Sequence, residues 1–508
     1  MKRRGAVAAL VLALIAGGAL SATAASPSEP FDIRAHELHL DMLEPPRPEF
    51  QPGVQQIPPD GRIVKGTGGG GMYRTGFEAG EPTLAVTEDG SVLFQALAAA
   101  PTVIRSDDGG KSWTDVSPTI NGRKTHATSL DPYLYRDPYA GRVFTYDFLF
   151  GCSLISFTDD EGATWTTSAL QCGEQDHQNL FTAPPVSSPT VGYESLVYAC
   201  STQAGATIYS VATHCQKSLD GGFSWVTTGA PPYTTEDHEE NDLGVRGYCH
   251  GAIGHGFGGP DGTIYIPKGL CGQPWLAISK DEGLSWDRVR VADKGMALHA
   301  TGVYEHEASV AADAQGNVYY FWIARDRLPY LTVSKNGGRT WGHPHMVGPR
   351  ALKEAALPSL ALGAPGKVAV VYMGSADSPG APFHESDDCT PDPVSCFSEL
   401  FFLNPADPEE YEDVTWNGYI TSTANALDRR PRFSNATINP PSDPLVRGTC
   451  GPIRCKAVYD FLDVVIDHTG RVFASFVDAC LNVCAKEGPS NSGNEGVLGV
   501  LLKGPRLR

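Results

Sequence analysis

The chain has few charged residues and a shortage of basic ones. Of its 508 residues, 19% are charged, and 39 Lys plus Arg stand against 58 Asp plus Glu, which gives a net charge of −19 at pH 7. Binding to nucleic acid through phosphates needs a basic face, so no nucleic-acid partner is expected. Long solvated helices and coiled coils need far more Glu, Lys and Ala, and they are disfavoured too.

Long apolar runs are absent beyond the first 20 residues, so no membrane span is expected. The N-terminus has Lys2, Arg3 and Arg4, an apolar run over 6–20, and the small residues of 22–24. These are the three parts of a secretory signal peptide, predicted over 1–24 with cleavage after Ala24 or Ala25. The run is short for a membrane anchor. The sequence therefore predicts a secreted, extracellular protein.

Cysteine is absent from the first 150 residues, and all 12 cysteines follow. An even number in an exported chain predicts about six disulfides, and no pair has zinc-site spacing. Cys152 and Cys172 lie symmetrically about residue 162 inside a predicted turn, so they should face each other across a hairpin. Proximity along the chain suggests the other pairs: Cys200–Cys215, Cys249–Cys271, Cys389–Cys396, Cys450–Cys455 and Cys480–Cys484.

The main signal is an eight-residue segment that recurs five times and ends in Trp. The five repeat turns are 106–113, 158–165, 218–225, 279–286 and 334–341, and their tryptophans are 52, 60, 61 and 55 residues apart. In each turn Asp or Asn can accept backbone N–H groups, Gly can take a positive φ, and Trp can cover the neighbouring unit. We therefore expect a structural role for all five.

A period of 50–60 residues with short alternating strands predicts an all-β fold, a β-propeller with one four-stranded sheet per blade. A second repeat marks where each blade opens and predicts seven blades, with six as the alternative. The openings are 81–84, 131–134, 176–179, 249–252, 306–309, 357–360 and 461–464.

The domain organisation follows from composition. A lead-in over 25–74 is rich in Pro and Gly, and it is expected to cover a sheet edge or lend a strand that closes the ring. A single propeller domain over 75–508 follows. The last two units lack the repeat turn, and a long insertion is predicted at about 375–455.

The S/T-x-D-x-G-x-S/T-W pattern resembles the Asp box of bacterial neuraminidase repeats, and two further segments resemble sialidase blades. These are 304–341, which opens with Tyr304-Glu305-His306-Glu307, and 459–472. The resemblance implies Tyr459 as catalytic nucleophile and Glu307 as its base. Sialidases also hold a sugar carboxylate with three arginines, and this triad is not recognisable in the chain.

In a propeller the first strand of every blade begins near the axis, so the opening residues should converge on one central pocket. Such carboxylates and imidazoles could staple adjacent blades, bind a sugar or hold a metal ion. No metal ligand is assigned and no cofactor is expected, although the acidic run 236–242 could bind Ca²⁺. The candidate substrate-binding residues are Glu81, Asp131, Asp176, His177, Arg246, His250, His306, Arg325 and Asp463.

The sequence favours a secreted, sialidase-like propeller that acts on or binds extracellular glycans through its axial pocket. A glycoside hydrolase is one form of this hypothesis. The alternative is a propeller without catalytic activity that binds carbohydrate or protein. An extracellular glycan or cell-surface component is the expected partner, and a monomer is the expected state.

Overall fold

A computed structural model describes residues 59–97, 101–120, 122–124, 132–149, 152–172, 175–204, 211–231, 233, 253–270, 273–292, 308–324, 326–378, 413–448, 461–481, 484 and 494–508. They all belong to one compact unit, Val54–Arg508. Among them, no helix is long and apolar enough to cross a membrane.

The strands are grouped into antiparallel blades that follow one another along the chain. The strands up to blade 3 are β1 (Val64–Lys65), β2 (Gly70–Glu78), β3 (Leu84–Val86), β4 (Val92–Leu97), β5 (Pro101–Ser106), β6 (Thr114–Asp115), β7 (Thr119–Ile120), β8 (Arg123–Lys124), β9 (Tyr133–Arg136), β10 (Val143–Leu149), β11 (Cys152–Thr158), β12 (Thr166–Cys172), β13 (Gln175–Ala183), β14 (Leu196–Ala204), β15 (Val211–Ser218) and β16 (Val226–Thr227).

The second half continues the same pattern. Its strands are β17 (Phe257–Gly258), β18 (Ile264–Leu270), β19 (Gln273–Ser279), β20 (Asp287–Arg290), β21 (Ser309–Ala312), β22 (Val318–Ile323), β23 (Pro329–Ser334), β24 (His345–Met346), β25 (Glu354–Leu362), β26 (Val368–Ser375), β27 (Thr415–Thr423), β28 (Ser434–Thr437), β29 (Val446–Arg447), β30 (Asp463–Ile466), β31 (Val472–Asp478) and β32 (Glu495–Leu501).

These strands form a seven-bladed β-propeller, as predicted. Blades 1 to 6 begin at β3, β9, β13, β17, β21 and β25, and blade 7 has the order β30-β31-β32-β2-β1. Each first strand packs against the first strand of the next blade, and β30 packs against β3, so the ring is closed. The second strand of blade 5, Val318–Ile323, is a continuous apolar run, because a blade covers each face.

The ring closes through the lead-in segment. Strand β2 pairs with β32 over Gly70–Arg74, so a strand from the start of the chain completes the sheet formed by its end. This confirms the expectation that the lead-in lends a strand. The pairing ties the two ends of the chain into one sheet and removes an exposed strand edge.

The five repeat turns form as the residue pattern predicts. In each, the opening Ser or Thr hydroxyl donates to the Asp or Asn side chain and accepts the N–H of the last Gly. The same side chain accepts the N–H of the Ser or Thr before Trp. The last Gly has positive φ in all five, and in blade 1 a Cβ at Gly110 would meet Tyr73 and Leu498. The turns are therefore structural.

Two disulfides lie among the described residues. Cys200–Cys215 joins facing positions of β14 and β15, and Cys480–Cys484 closes a short loop after β31. Both pairs match the prediction. Cys152 and Cys172 face each other in the register of β11 and β12, also as predicted. The predicted pairs Cys249–Cys271, Cys389–Cys396 and Cys450–Cys455 lie outside the described residues.

The region of the predicted insertion differs from the expectation. Strands β27 and β28 lie inside 375–455 and are the third and fourth strands of blade 6. Thr415–Thr423 pairs with β26 along nearly its whole length. The blade therefore keeps four strands, and its turn before β28 uses a sequence other than the repeat.

The opening of blade 4 lies later than predicted, because a glycine-rich stretch hides the alternation of its first strand. The register of β17 and β18 makes His255 the equivalent of Thr83 in blade 1, so the blade opens at 253–256 instead of 249–252. A Cβ at Gly254 would lie 1.7 Å from the carbonyl oxygen of Ala308 in the next blade. Only glycine permits this close approach.

Candidate functional site

Seven equivalent residues, one at the start of each inner strand, form the ring around the axis. They are related by strand register, and each directly precedes the first core position of its blade. We call them the ring positions. In chain order they are Thr83, Tyr133, Asn179, His255, Ser309, Ser359 and Asp463.

Four ring positions join one blade to the next. Side-chain oxygens of Thr83, Asn179, Ser309 and Asp463 accept backbone N–H groups of the following blade at 2.8, 3.3, 3.1 and 3.1 Å. Asp463 thereby joins blade 7 to blade 1 through the N–H of Leu84. The sequence left open whether the opening residues join adjacent blades, bind a sugar or hold a metal ion. These four positions join adjacent blades.

Two ring positions carry aromatic rings that meet over the channel. The rings of Tyr133 and His255 are in edge contact, with centroids 5.1 Å apart, although blade 3 separates their blades. His255 also makes an edge contact with Phe461, which directly precedes blade 7, at 5.4 Å. Rings from three blades thus meet near the axis, where the other positions have small polar side chains.

A carboxyl group lies beside this aromatic cluster. Burial raises the pKa of Asp463, while the charge of His255 and the N–H groups of Leu84 and Val464 oppose the shift. A carboxyl with a raised pKa keeps its proton at higher pH and can donate a hydrogen bond or a proton. The group of side chains around the axis thus combines the carboxyl of Asp463, the imidazole of His255 and the aromatic rings of Tyr133 and Phe461.

A cavity of about 310 Å³ runs along the inner strands from this cluster. Tyr133, His255 and Asp463 line one end. Glu88 and Arg136, paired at 3.1 Å, lie at the other end with His468. The volume is at the lower limit of small-molecule pockets and suits a single sugar unit.

Glu81 and His177 belong to the backbone framework of the blade openings, and their predicted role in substrate binding stays a prediction. Each stands two residues before its ring position and has a positive φ of 51°, and Leu357 has the same role in blade 6 at 60°. Glu81 is 2% exposed and His177 8%. A positive φ is costly for non-glycine residues. Its recurrence at the same position in three blades shows that the surrounding structure holds the backbone in this conformation.

The other predicted site residues fall outside the described side chains. Asp176 belongs to β13 by its backbone, and its side chain is outside the description. The remaining predicted residues lie outside the described residues, so their roles stay predictions: Tyr459, Glu307, Asp131, Arg246, His250, His306 and Arg325.

Arg74 is held by two buried carboxylates of blade 7. Its guanidinium lies 3.0 Å from Asp478 and 2.7 Å from Glu495, whose side chains are 2% and 0% exposed. Burial raises the pKa of Asp478 to about 7 and also raises the pKa of Glu495, while Arg74 opposes both shifts. This arginine is therefore engaged inside the protein.

Arg327 is engaged in the same way between blades 5 and 6. Its Nε and Nη2 donate to Oε1 of Glu354 at 3.0 and 2.7 Å, and both side chains are buried. It stands two residues after Arg325, one of the predicted substrate-binding residues. The ion pair fixes its guanidinium to a protein carboxylate instead.

Sequence reasoning missed His255 and Asp147. His255 was hidden by the misplaced opening of blade 4. Asp147 is 4% exposed, burial raises its pKa to about 7, and its Oδ1 has no hydrogen-bond partner among the described residues. A carboxyl inside the second strand of a blade, Val143–Leu149, was the available signal, because both faces of such a strand are covered.

Metal-ligating residues do not cluster in the described part of the chain, where no group of three or more His, Cys, Asp or Glu could hold an ion. The acidic run 236–242 lies outside it.

Comparisons with known proteins find similar structures but no family. No family model and no curated protein matches the chain. The BP39L lectin from Burkholderia pseudomallei is 10% identical, with 84% of this chain and 98% of that chain covered and a TM-score of 0.48. A mutant of NanB sialidase from Streptococcus pneumoniae is 12% identical, with 84% and 70% covered and a TM-score of 0.39. A mutant of the Arb93A α-L-arabinofuranosidase from Fusarium graminearum is 14% identical, with 61% and 92% covered and a TM-score of 0.39.

Proposed function

We propose that this protein is an extracellular glycan-directed propeller that takes a sugar unit into its axial channel. The observation that carries the proposal is the aromatic character of two ring positions, where the other five have Thr, Asn, Ser or Asp side chains. Tyr133 and His255 place rings over a cavity of about 310 Å³, beside Asp463. Apolar ring surface with a few hydrogen-bonding groups is the composition expected of a pocket for a polar organic ligand such as a sugar.

The preferred sugar is uncharged. Arg74 and Arg327 are both committed to buried protein carboxylates. Two arginines line the axial cavity, but Arg136 pairs with Glu88 at the end away from the aromatic cluster and Arg508 donates to the Asp467 carbonyl, so none of the four is placed beside the cluster for the bidentate contact that a carboxylated sugar needs. Asp463 and His255 instead offer hydrogen bonds suited to hydroxyl groups. A neutral hexose or pentose within a longer glycan fits this chemistry better than a sialic acid.

Hydrolysis of a glycosidic bond is the finer form of the proposal, and the resemblance to Asp-box sialidases assigns Tyr459 as nucleophile and Glu307 as its base. The raised pKa of Asp463 supports an acid function at the axial cavity, because a protonated carboxyl can protonate a leaving group. Binding without catalysis, to carbohydrate or protein, is the alternative.

We propose a monomer that requires no cofactor, so EDTA is expected to leave binding unchanged.

Glycan binding is tested with the purified protein on an array of neutral and acidic glycans, followed by calorimetry of the best neutral ligand. His255→Ala and Tyr133→Leu are expected to weaken binding by about tenfold or more, since both remove central contacts. Tyr139→Leu is the matched control, because this tyrosine is exposed and does not line the channel. Failure to bind any glycan would contradict the proposal.

Catalysis is tested on a panel of chromogenic glycosides that includes a sialoside. Turnover that disappears in Tyr459→Phe supports the hydrolase. Retained binding with no turnover on any glycoside supports the alternative without catalysis.

We propose secretion through the predicted signal peptide. Two disulfides among the described residues support it, because such bonds persist in oxidising compartments. The mature protein from the culture medium is expected to begin at Ala25 or Ser26, which N-terminal sequencing would show. A protein that keeps residues 1–24 and stays in the cell would contradict this assignment.

A further inference from the structure

Three tryptophans of the repeat turns fasten their blade to the one before it, whereas the indole of Trp113 in blade 1 donates to Gly110 of its own turn. The indole Nε1 of Trp165 donates to the carbonyl of Val116 at 2.6 Å, that of Trp225 to the Ser168 hydroxyl at 3.3 Å, and that of Trp286 to the carbonyl of Gly229 at 3.2 Å. These acceptors belong to, or closely follow, the fourth strand of the preceding blade. Three blade boundaries thus share one contact on the outer rim.

Trp341 in blade 5 lacks this contact. Its Nε1 is buried and has no hydrogen-bond partner among the described residues. The strand that would supply the acceptor is β20 of blade 4. A cavity of about 760 Å³ lies between the end of that strand and the repeat turn, lined by 290–292, 339–344 and Tyr330. We call this cavity the rim groove.

The rim groove is basic although the whole chain is acidic. Arg290, Arg339 and His343 line it, and none of the lining residues that the structure describes carries a carboxylate. Arg290 is held in place by donating to Gln273 Oε1 at 2.6 Å. Arg339 is exposed, and nothing in the described part of the chain pairs with its guanidinium. In a chain with a net charge of −19, two neighbouring arginines on one groove favour binding of an anion.

The groove also offers apolar ring surface. Trp341 and Tyr330 both line it, and each packs within the aromatic cluster of blade 5 through Tyr320 or Trp322. Asp326 accepts the Tyr330 hydroxyl at 2.8 Å and is not a lining residue. An inorganic anion would leave these rings and most of the volume unused. A nucleic acid would meet repulsion from the acidic protein beyond the groove.

We propose that the rim groove binds an acidic saccharide, one whose sugar units carry a carboxylate or a sulfate group. Arg339 and Arg290 contact the anionic group, the Trp341 N–H donates to the same ligand, and the two rings pack against the sugar face. The volume accommodates two or three sugar units. This site is separate from the axial channel and does not depend on the proposed function.

Calorimetry with trigalacturonate, its methyl ester, a sulfated disaccharide and the unsulfated disaccharide tests the proposal. The acid or the sulfate is expected to bind, and its uncharged counterpart to bind at least about tenfold more weakly. Arg339→Ala is expected to lower affinity by about 10- to 100-fold, because it removes hydrogen bonds to a charged group. Arg350→Ala is the matched control, since Arg350 is also exposed and lies outside the groove.

Trp341→Phe provides a second, independent variant. It removes the unpartnered N–H but keeps a ring, so affinity for the acidic saccharide should fall while the fold is kept. Trp286→Phe removes an N–H that is already bonded within the protein and should leave affinity unchanged. Selective binding of the carboxylated or the sulfated ligand identifies the anion.

Any of three results would overturn the proposal. These are equal binding of charged and uncharged ligands, no binding of either acidic ligand, and equal affinity of Arg339→Ala and Arg350→Ala. His255→Ala should leave this binding intact, which separates it from the axial site.

Discussion

Replacing Arg74 with methionine is expected to lower the free energy of unfolding by about 3–5 kcal/mol at pH 8, because two buried carboxylates lose their cation. Asp478 and Glu495 are 2% and 0% exposed and both contact Arg74. Without the arginine their pKa values rise further, so the protein must bury charge or take up protons. The loss should therefore be smaller at pH 5 than at pH 8, which chemical denaturation at the two pH values would measure.

Arg62→Met is the control for this prediction. Arg62 and Asp60 form an ion pair at 3.7 Å whose side chains are 88% and 62% exposed, and exposed pairs contribute little. The control should match the parent protein within about 0.5 kcal/mol. A loss below about 1 kcal/mol in Arg74→Met, far under the usual cost of breaking a buried pair, would mean that the ion pairs do not support the closing strand β2.

Replacing Asp147 with asparagine is expected to stabilise the protein above pH 7. Burial raises the folded-state pKa of this carboxyl from 3.8 to about 7. The folded protein therefore holds a proton that the unfolded chain releases between about pH 4 and pH 7, so stability falls as pH rises through that range. The asparagine variant does not titrate and avoids this loss, which corresponds to about 4 kcal/mol at pH 8.

The difference between Asp147→Asn and the parent should nearly vanish at pH 4, where the folded-state carboxyl is protonated and the unfolded-state carboxyl is close to its own pKa. Denaturation curves at pH 4 and pH 8 test this, with Asp89→Asn, an exposed turn residue, as the control. Equal stability of parent and variant at both pH values would show that the carboxyl reaches a partner or water. A destabilising carboxyl is retained most readily at a functional site, so activity should be measured on the same variant.

Much of the fold could be predicted because its signals are local. Asp108 and its four counterparts form their turns with residues at most four positions away, so the repeat can be recognised in the sequence alone. The facing positions of Cys152 and Cys172 followed from symmetry about one such turn. The third and fourth strands of blade 6 were missed, because the turn between them does not use the repeat and a long connection precedes them.

The candidate site was harder to predict, because its residues meet only through the closed ring. The sequence placed Asp463 and the kinked Glu81 and His177 near the axis, but not the hydrogen bonds that make Asp463 a staple. His255 was missed where glycines required by close strand packing interrupt the alternation. The engagement of Arg74 by carboxylates at the far end of the chain joins residues more than 400 positions apart, which no local pattern reveals.

A crystal structure of the protein with the best neutral ligand from the glycan array tests the central proposal most directly. The account predicts a sugar ring in the axial channel, in contact with His255 and Tyr133 and within hydrogen-bond distance of Asp463. A neutral sugar bound only elsewhere on the protein, with the rings of Tyr133 and His255 unchanged around an empty channel, would contradict it.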